Sequence, residues 1–117
     1  MMTNRQLKDF ENSLVDRYGC LSLQLSHNGK WLTEINIDKI IINETDRNGG
    51  IGSAVMQEIC RFADMNFAKL CLYVDTIYGG QPERLFQFYQ KFGFNKVPNM
   101  DVNFMIRYPV EIGSRIY

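Results

Sequence analysis

The chain has no net charge to offer: its 13 basic and 13 acidic side chains cancel. No whole-molecule field therefore draws in a polyanion, and nucleic-acid binding is unsupported. The three cysteines, Cys20, Cys60 and Cys71, are odd in number and show no C-x-x-C spacing, which argues against a disulfide framework and against a metal motif. They are expected to be free thiols, buried or partly buried, in a reducing cytosol. No apolar run approaches the roughly 18 residues of a membrane helix, and the N-terminus lacks the basic-then-apolar order of a secretion signal. A cytoplasmic location without a membrane partner is the expectation. Internal repeats, low-complexity tracts and linkers are also missing, so residues 1–117 are expected to form a single domain.

What is present is ordinary for a globular protein: 45% of residues are hydrophobic and 22% charged. Thr3 is placed to cap a first helix carrying Leu7, Phe10 and Leu14, which Gly19 should stop. Leu21, Leu23 and Leu25 alternate with polar residues, and Asn28-Gly29 supplies a hairpin turn. The returning strand runs from about Trp31 to Ile42, but its apolar parity changes near Asp38-Lys39. Either a β-bulge or a break between two shorter strands accounts for that slip. A second helix spans Ile51 to about Asn66, Leu70 to Val74 reads as a buried strand, and Pro82 opens a last helix that Gly93 ends. Val102 to Tyr108 reads as a final strand, whose edge is a candidate for pairing in a homodimer. This order of elements predicts an α/β (α+β) domain with a mixed, mostly antiparallel sheet flanked by helices.

The segment Arg47-Asn48-Gly49-Gly50-Ile51-Gly52 joins an apolar strand to a helix N-terminus, where backbone amides lack intrahelical partners. Glycines there remove the Cβ atoms that would hold a ligand away, so a phosphate can rest against the amides and the helix dipole. Arg47 adds a full positive charge. The pattern lacks the lysine of a P-loop and the third glycine of a dinucleotide fingerprint.

Arg47-x-x-Gly50-x-Gly52 after a strand of isoleucines resembles the pyrophosphate loop of the GNAT N-acetyltransferases, whose pattern is Gln/Arg-x-x-Gly-x-Gly/Ala. Leu85-Phe86-Gln87-Phe88-Tyr89-Gln90-Lys91-Phe92-Gly93-Phe94 is similar to that family's Phe-Tyr-x-x-x-Gly-Phe helix end. The resemblance covers roughly Leu21 to Phe94. It implies a GNAT-like fold, acetyl-CoA as co-substrate, no metal, and transfer of acetyl to a primary amine by direct attack in a ternary complex. Residue by residue, it implies that the amides of Asn48, Gly49, Gly50, Ile51, Gly52 and Ser53 hold the pyrophosphate, with Arg47 beside them. Ile41, Ile42 and Asn43 would pair with the pantetheine arm, and Tyr89 would serve the departing thiolate. An amine must lose a proton before it attacks. Glu34 on the long strand and Glu44 beside the loop are the carboxylates expected to take it, directly or through water.

The chain also departs from the family. Pro82 stands where an asparagine is common, seven residues before the helix tyrosine, so Asp75 to Gln81 must shape the thiol end differently and Tyr78-Gly79-Gly80 is a place for specificity. One evident helix before the hairpin implies an open acceptor site, suited to a protein lysine or N-terminus as well as a small molecule. The rival reading is a noncatalytic acyl-CoA-binding or protein-interaction domain on the same fold, as a monomer or a homodimer.

Overall fold

A computed structural model describes residues 3–19, 21–27, 33–42, 49–74, 82–98 and 103–110. Helix α1 (Asn4–Arg17) starts with a capping box: the Thr3 hydroxyl accepts from the Gln6 amide at 3.1 Å, and Gln6 Oε1 accepts from the Thr3 amide at 2.7 Å. Its end falls where expected, at Arg17 with Tyr18 as C-cap and Gly19 next. The Tyr18 amide closes on the Leu14 carbonyl at 2.8 Å, and Leu21 N–H bonds the Tyr18 carbonyl at 2.9 Å, so the chain enters the sheet without a left-handed Gly19.

Strand β1 (Leu21–His27) pairs antiparallel with β2 (Glu34–Ile42). Gln24 lies opposite Lys39 and Leu25 opposite Ile37, leaving Asp38 as an extra residue in β2. The parity slip is therefore a β-bulge in one continuous strand, and no break divides it. The Asn28-Gly29 turn and Trp31 lie outside the described residues. Helix α2 (Ile51–Met65) leads to β3 (Lys69–Tyr73), which pairs parallel with β2. Helix α3 (Pro82–Gln90) leads to β4 (Asn95–Lys96), and β5 (Phe104–Arg107) completes a sheet of order β1-β2-β3-β5-β4. The two-residue β4 was not expected, being too short to show a period. Its position corrects the edge-strand expectation: β5 lies between β3 and β4, and β4 pairs with Met105 and Ile106, so β5 is not the edge strand of the sheet.

Cross-strand registers sort the side chains by face. Leu21, Leu23, Leu25, Ile35, Ile37, Ile40, Ile42, Leu70, Leu72 and Met105 share one face and join Leu7, Leu14, Val55, Met56, Ile59, Ala63, Phe86, Tyr89 and Phe94 in one core. Each fully buried Leu, Ile or Phe contributes roughly 1.5–3 kcal/mol. All three helices lie against this face, as two crossovers running the same way across a sheet require for right-handed connections. The opposite face carries Gln24, Asn36, Lys39, Ile41, Tyr73, Phe104 and Ile106, half-buried or exposed, with Cys71 as its buried member.

Three buried charged side chains among the described residues fasten the layers. Glu11 on α1 accepts from the Leu25 amide at 2.7 Å, where the β1 register shifts, and from Lys8 at 2.9 Å. Arg107 on β5 makes a bidentate pair with Asp64 on α2 at 2.8 and 3.0 Å, while its Nε donates to the Phe92 carbonyl at 2.6 Å. With its donors satisfied in this way, the guanidinium tolerates burial. It also sits against Gly93, whose φ of 96° is a left-handed turn suited to glycine.

Candidate functional site

The parallel ladder between β2 and β3 begins at Glu34↔Lys69 and stops at Ile37↔Leu72. Beyond that point β2 continues to Ile42 and β3 to Tyr73, but the strands part. The bulge at Asp38 sits at the parting, where an unpaired residue increases local twist. Between the strands lies a cleft of about 480 Å³ lined by Gln24, Ile37–Ile42, Gly52, Leu72, Tyr73, Leu85, Phe88 and Tyr89. Its lining comes from both faces of the sheet. Ile40, Ile42, Gly52, Phe88 and Tyr89 belong to the helix-covered side, and Gln24, Lys39, Ile41 and Tyr73 to the open side. The cleft thus passes through the plane of the sheet.

One end of the cleft meets the start of α2. Gly50 is the N-cap, with φ 80° and ψ 5°, and among the described residues no side chain caps the helix. The first amides of α2 are therefore left to an outside acceptor. Gly50 needs no Cβ for conformational reasons. A Cβ at Gly52 would lie in ordinary contact, 3.4 Å from Ile42 Cδ1 and 3.6 Å from Phe88 Cζ, so this position stands where α2, β2 and α3 meet.

Tyr89 lines the same cleft from α3 and is 9% exposed. Its ring makes edge contacts with Phe88 and Phe94, at centroid distances of 5.3 and 5.8 Å. Among the described residues its hydroxyl has no hydrogen-bond partner, and burial pushes the phenol up to about 12. It is a neutral donor at any physiological pH.

The cleft brings together Tyr89, Ile41, Ile42 and Gly52, with Gly49, Gly50, Ile51 and Ser53 at the adjoining helix start. Asn43, Glu44, Arg47 and Asn48 lie outside the described residues, as do Tyr78-Gly79-Gly80. Glu34 is not brought to the cleft. It stands at the start of β2, where Oε1 accepts from the Cys71 thiol at 3.2 Å and meets Lys69 Nζ at 3.3 Å. Besides apolar residues read only as core, Gln24, Asp38, Lys39 and Tyr73 line the cleft without having been expected there. A signal for two of them was present, since adjacent opposite charges interrupt a strand of isoleucines; only their effect on strand parity was drawn from it. No three His, Cys, Asp or Glu side chains gather as metal ligands among the described residues.

No protein-family model and no curated protein matches the sequence. Solved structures do match. Ard1 from Thermoplasma volcanium shares 21% identity over 94% of this chain and 82% of its own, with a TM-score of 0.59. Naa50 of Arabidopsis thaliana, solved with the bisubstrate analogue CoA-Ac-MVNAL, shares 16% identity over 90% of this chain and 91% of its own, with a TM-score of 0.52. The GNAT-family N-acetyltransferase YhbS from Escherichia coli, solved with CoA, shares 14% identity over 86% of this chain and 67% of its own, with a TM-score of 0.50. By these likenesses the chain, with its mixed five-stranded sheet and three helices, has the fold of the GNAT N-acetyltransferases.

Proposed function

We propose that this protein moves the acetyl group of acetyl-CoA to a primary amine. The observation that carries the reading is the parting of β2 and β3 after Ile37↔Leu72, which opens a cleft through the sheet beside an uncapped helix start and the Tyr89 phenol. A thioester entering along β2 meets strand backbone no longer paired to β3, to which a pantetheine amide can add hydrogen bonds. The pyrophosphate goes to the amides of residues 48–53, with Arg47 supplying charge. That Naa50 and YhbS were solved with CoA-containing ligands supports a CoA thioester as donor.

The acceptor comes from the open face of the sheet, where Gln24, Lys39, Ile41 and Tyr73 border the cleft. A protein lysine or N-terminus reaches such a face as readily as a small amine does. The attacking nitrogen must first be neutral, which for an alkylamine costs roughly 4–5 kcal/mol at neutral pH. Among the described residues Asp38 is the carboxylate that lines the cleft, and we assign it the proton, directly or through water, in the role expected of Glu34 or Glu44. The nitrogen attacks the thioester carbonyl in a ternary complex, the C–S bond breaks, and Tyr89 donates a hydrogen bond to the leaving sulfur. The whole chain, residues 1–117, acts as one domain, a monomer or a homodimer. The free thiols Cys60 and Cys71 suit a cytoplasmic protein, and no described helix is long and apolar enough to cross a membrane.

The test measures melting temperature and thiol release with acetyl-CoA, alone and with a panel of amines. At a hundredfold excess over Kd, binding stabilises by about 2.7 kcal/mol, a shift of roughly 10 °C for a domain of this size. A shift with amine-dependent thiol release is the expected result. A shift without release from any amine supports the noncatalytic acyl-CoA-binding domain, and no shift removes both readings.

A further inference from the structure

Among the described residues that line the cleft, two carry charged side chains, and they are consecutive: Asp38 and Lys39. Lys39 pairs with Gln24 across the β1–β2 ladder, which puts it on the open face of the sheet with Ile41 and Tyr73. It is half-buried, and among the described residues it has no ion-pair partner. Glu34, further back on the same face, is engaged by Lys69 and Cys71. A half-buried cation that lines the cleft beside Gln24, Ile41 and Tyr73 is placed to pair with an anion that enters there. The CoA phosphates are not that anion. Their amides begin beside Ile42, which touches Gly52, whereas Lys39 lies about 10 Å back along the strand and on the other face.

We infer that Lys39 reads a carboxylate on the acceptor, so that the preferred substrate is an amine that also carries a carboxylate. The inference rests on the acetyltransferase reading. The amine faces Asp38 and the thioester while the carboxylate pairs with Lys39, and an acceptor with a second cation meets like charge there. Two sources supply this chemistry: a free amino acid, or a peptide N-terminus with an acidic side chain next to it.

The test uses the full chain with saturating acetyl-CoA and acceptors in matched pairs. Free amino acids are paired with their α-amides and decarboxylated amines, and C-terminally amidated peptides carry glutamate or glutamine at the second position. The carboxylate-bearing member is expected to win by about ten- to hundredfold in kcat/KM, mostly through KM, as one charge-assisted hydrogen bond allows. The winning pair identifies the source. K39M brings the ratio toward one, K39R keeps it, and K39E inverts it. Equal use of both members by the wild type, or a ratio unchanged in K39M, overturns the inference. Thiol release from no acceptor at all, with acetyl-CoA bound, is instead a failure of the transferase reading. In that case the melting temperature of the CoA-loaded protein decides the role of Lys39: a rise with the carboxylate-bearing member that K39M abolishes supports it, and no rise overturns it.

Discussion

Replacing Tyr89 by phenylalanine removes one oxygen from a wall of the cleft and leaves a ring of the same shape against Phe88 and Phe94. The hydroxyl has no hydrogen-bond partner among the described residues, so its loss strands no buried group and stability should change by less than about 1 kcal/mol. Its effect on turnover follows from the acidity of the phenol. Burial holds it at about 12, against about 8.5 for an ordinary thiol, so complete proton transfer to the leaving thiolate is uphill by roughly 5 kcal/mol. In the proposed reaction Tyr89 would therefore act as a hydrogen-bond donor to developing negative charge and keep its proton through the transition state. Such a bond contributes about 1.5–3 kcal/mol, which predicts a ten- to hundredfold loss of kcat in Tyr89→Phe. The assay is thiol release at saturating acetyl-CoA, run beside a urea titration of both proteins. Unchanged turnover would refute the role, and so would a loss of activity that merely tracks a loss of stability.

Gly50→Ala should cost roughly 1–2 kcal/mol in a urea titration, because φ is 80° while nothing lies within 4 Å of the added carbon, so the cost is conformational alone. Arg107→Met leaves Asp64 buried without its bidentate partner and should destabilise by about 3–5 kcal/mol, with Asp64→Asn in the same chain restoring part of that loss. Alkali should unfold the protein in a defined window. Burial raises Cys60 to about 11, Cys71 to about 12 and Tyr89 to about 12, from 9.0, 9.0 and 10.0. Because the folded values lie above the unfolded ones, this stability is fully present below about pH 9 and is lost as pH rises through 11–12. The share of Tyr89 is roughly 3 kcal/mol, and Tyr89→Phe should remove about one proton from the pH slope above 10.

Much of the fold was legible because its signals are local. Thr3 caps α1 as expected, and the alternating leucines of β1 and the apolar stripe of α2 found the core face their periods predict. The parity slip at Asp38-Lys39 located the bulge within one residue. The loop and helix motifs carried the resemblance by which the fold was anticipated. Other features depend on partners distant in sequence and left no periodic trace. Which strand lies at the sheet edge is one of these, since a two-residue β4 is enough to cover β5. The company of Glu34 is another: its charge and strand position resemble those of a base, but the register sets it opposite Lys69, away from the cleft.

By itself, then, the sequence determined most of the helices and strands, which faces are apolar and where a glycine-rich turn leads into a helix, because each follows from nearest-neighbour sterics and a short period. Only the tertiary structure decided where β2 and β3 part, and therefore that Asp38 and Lys39 line the cleft. Strand register and separation are set by the packing of α2 and α3 on one face of the sheet, a long-range balance that no local pattern encodes.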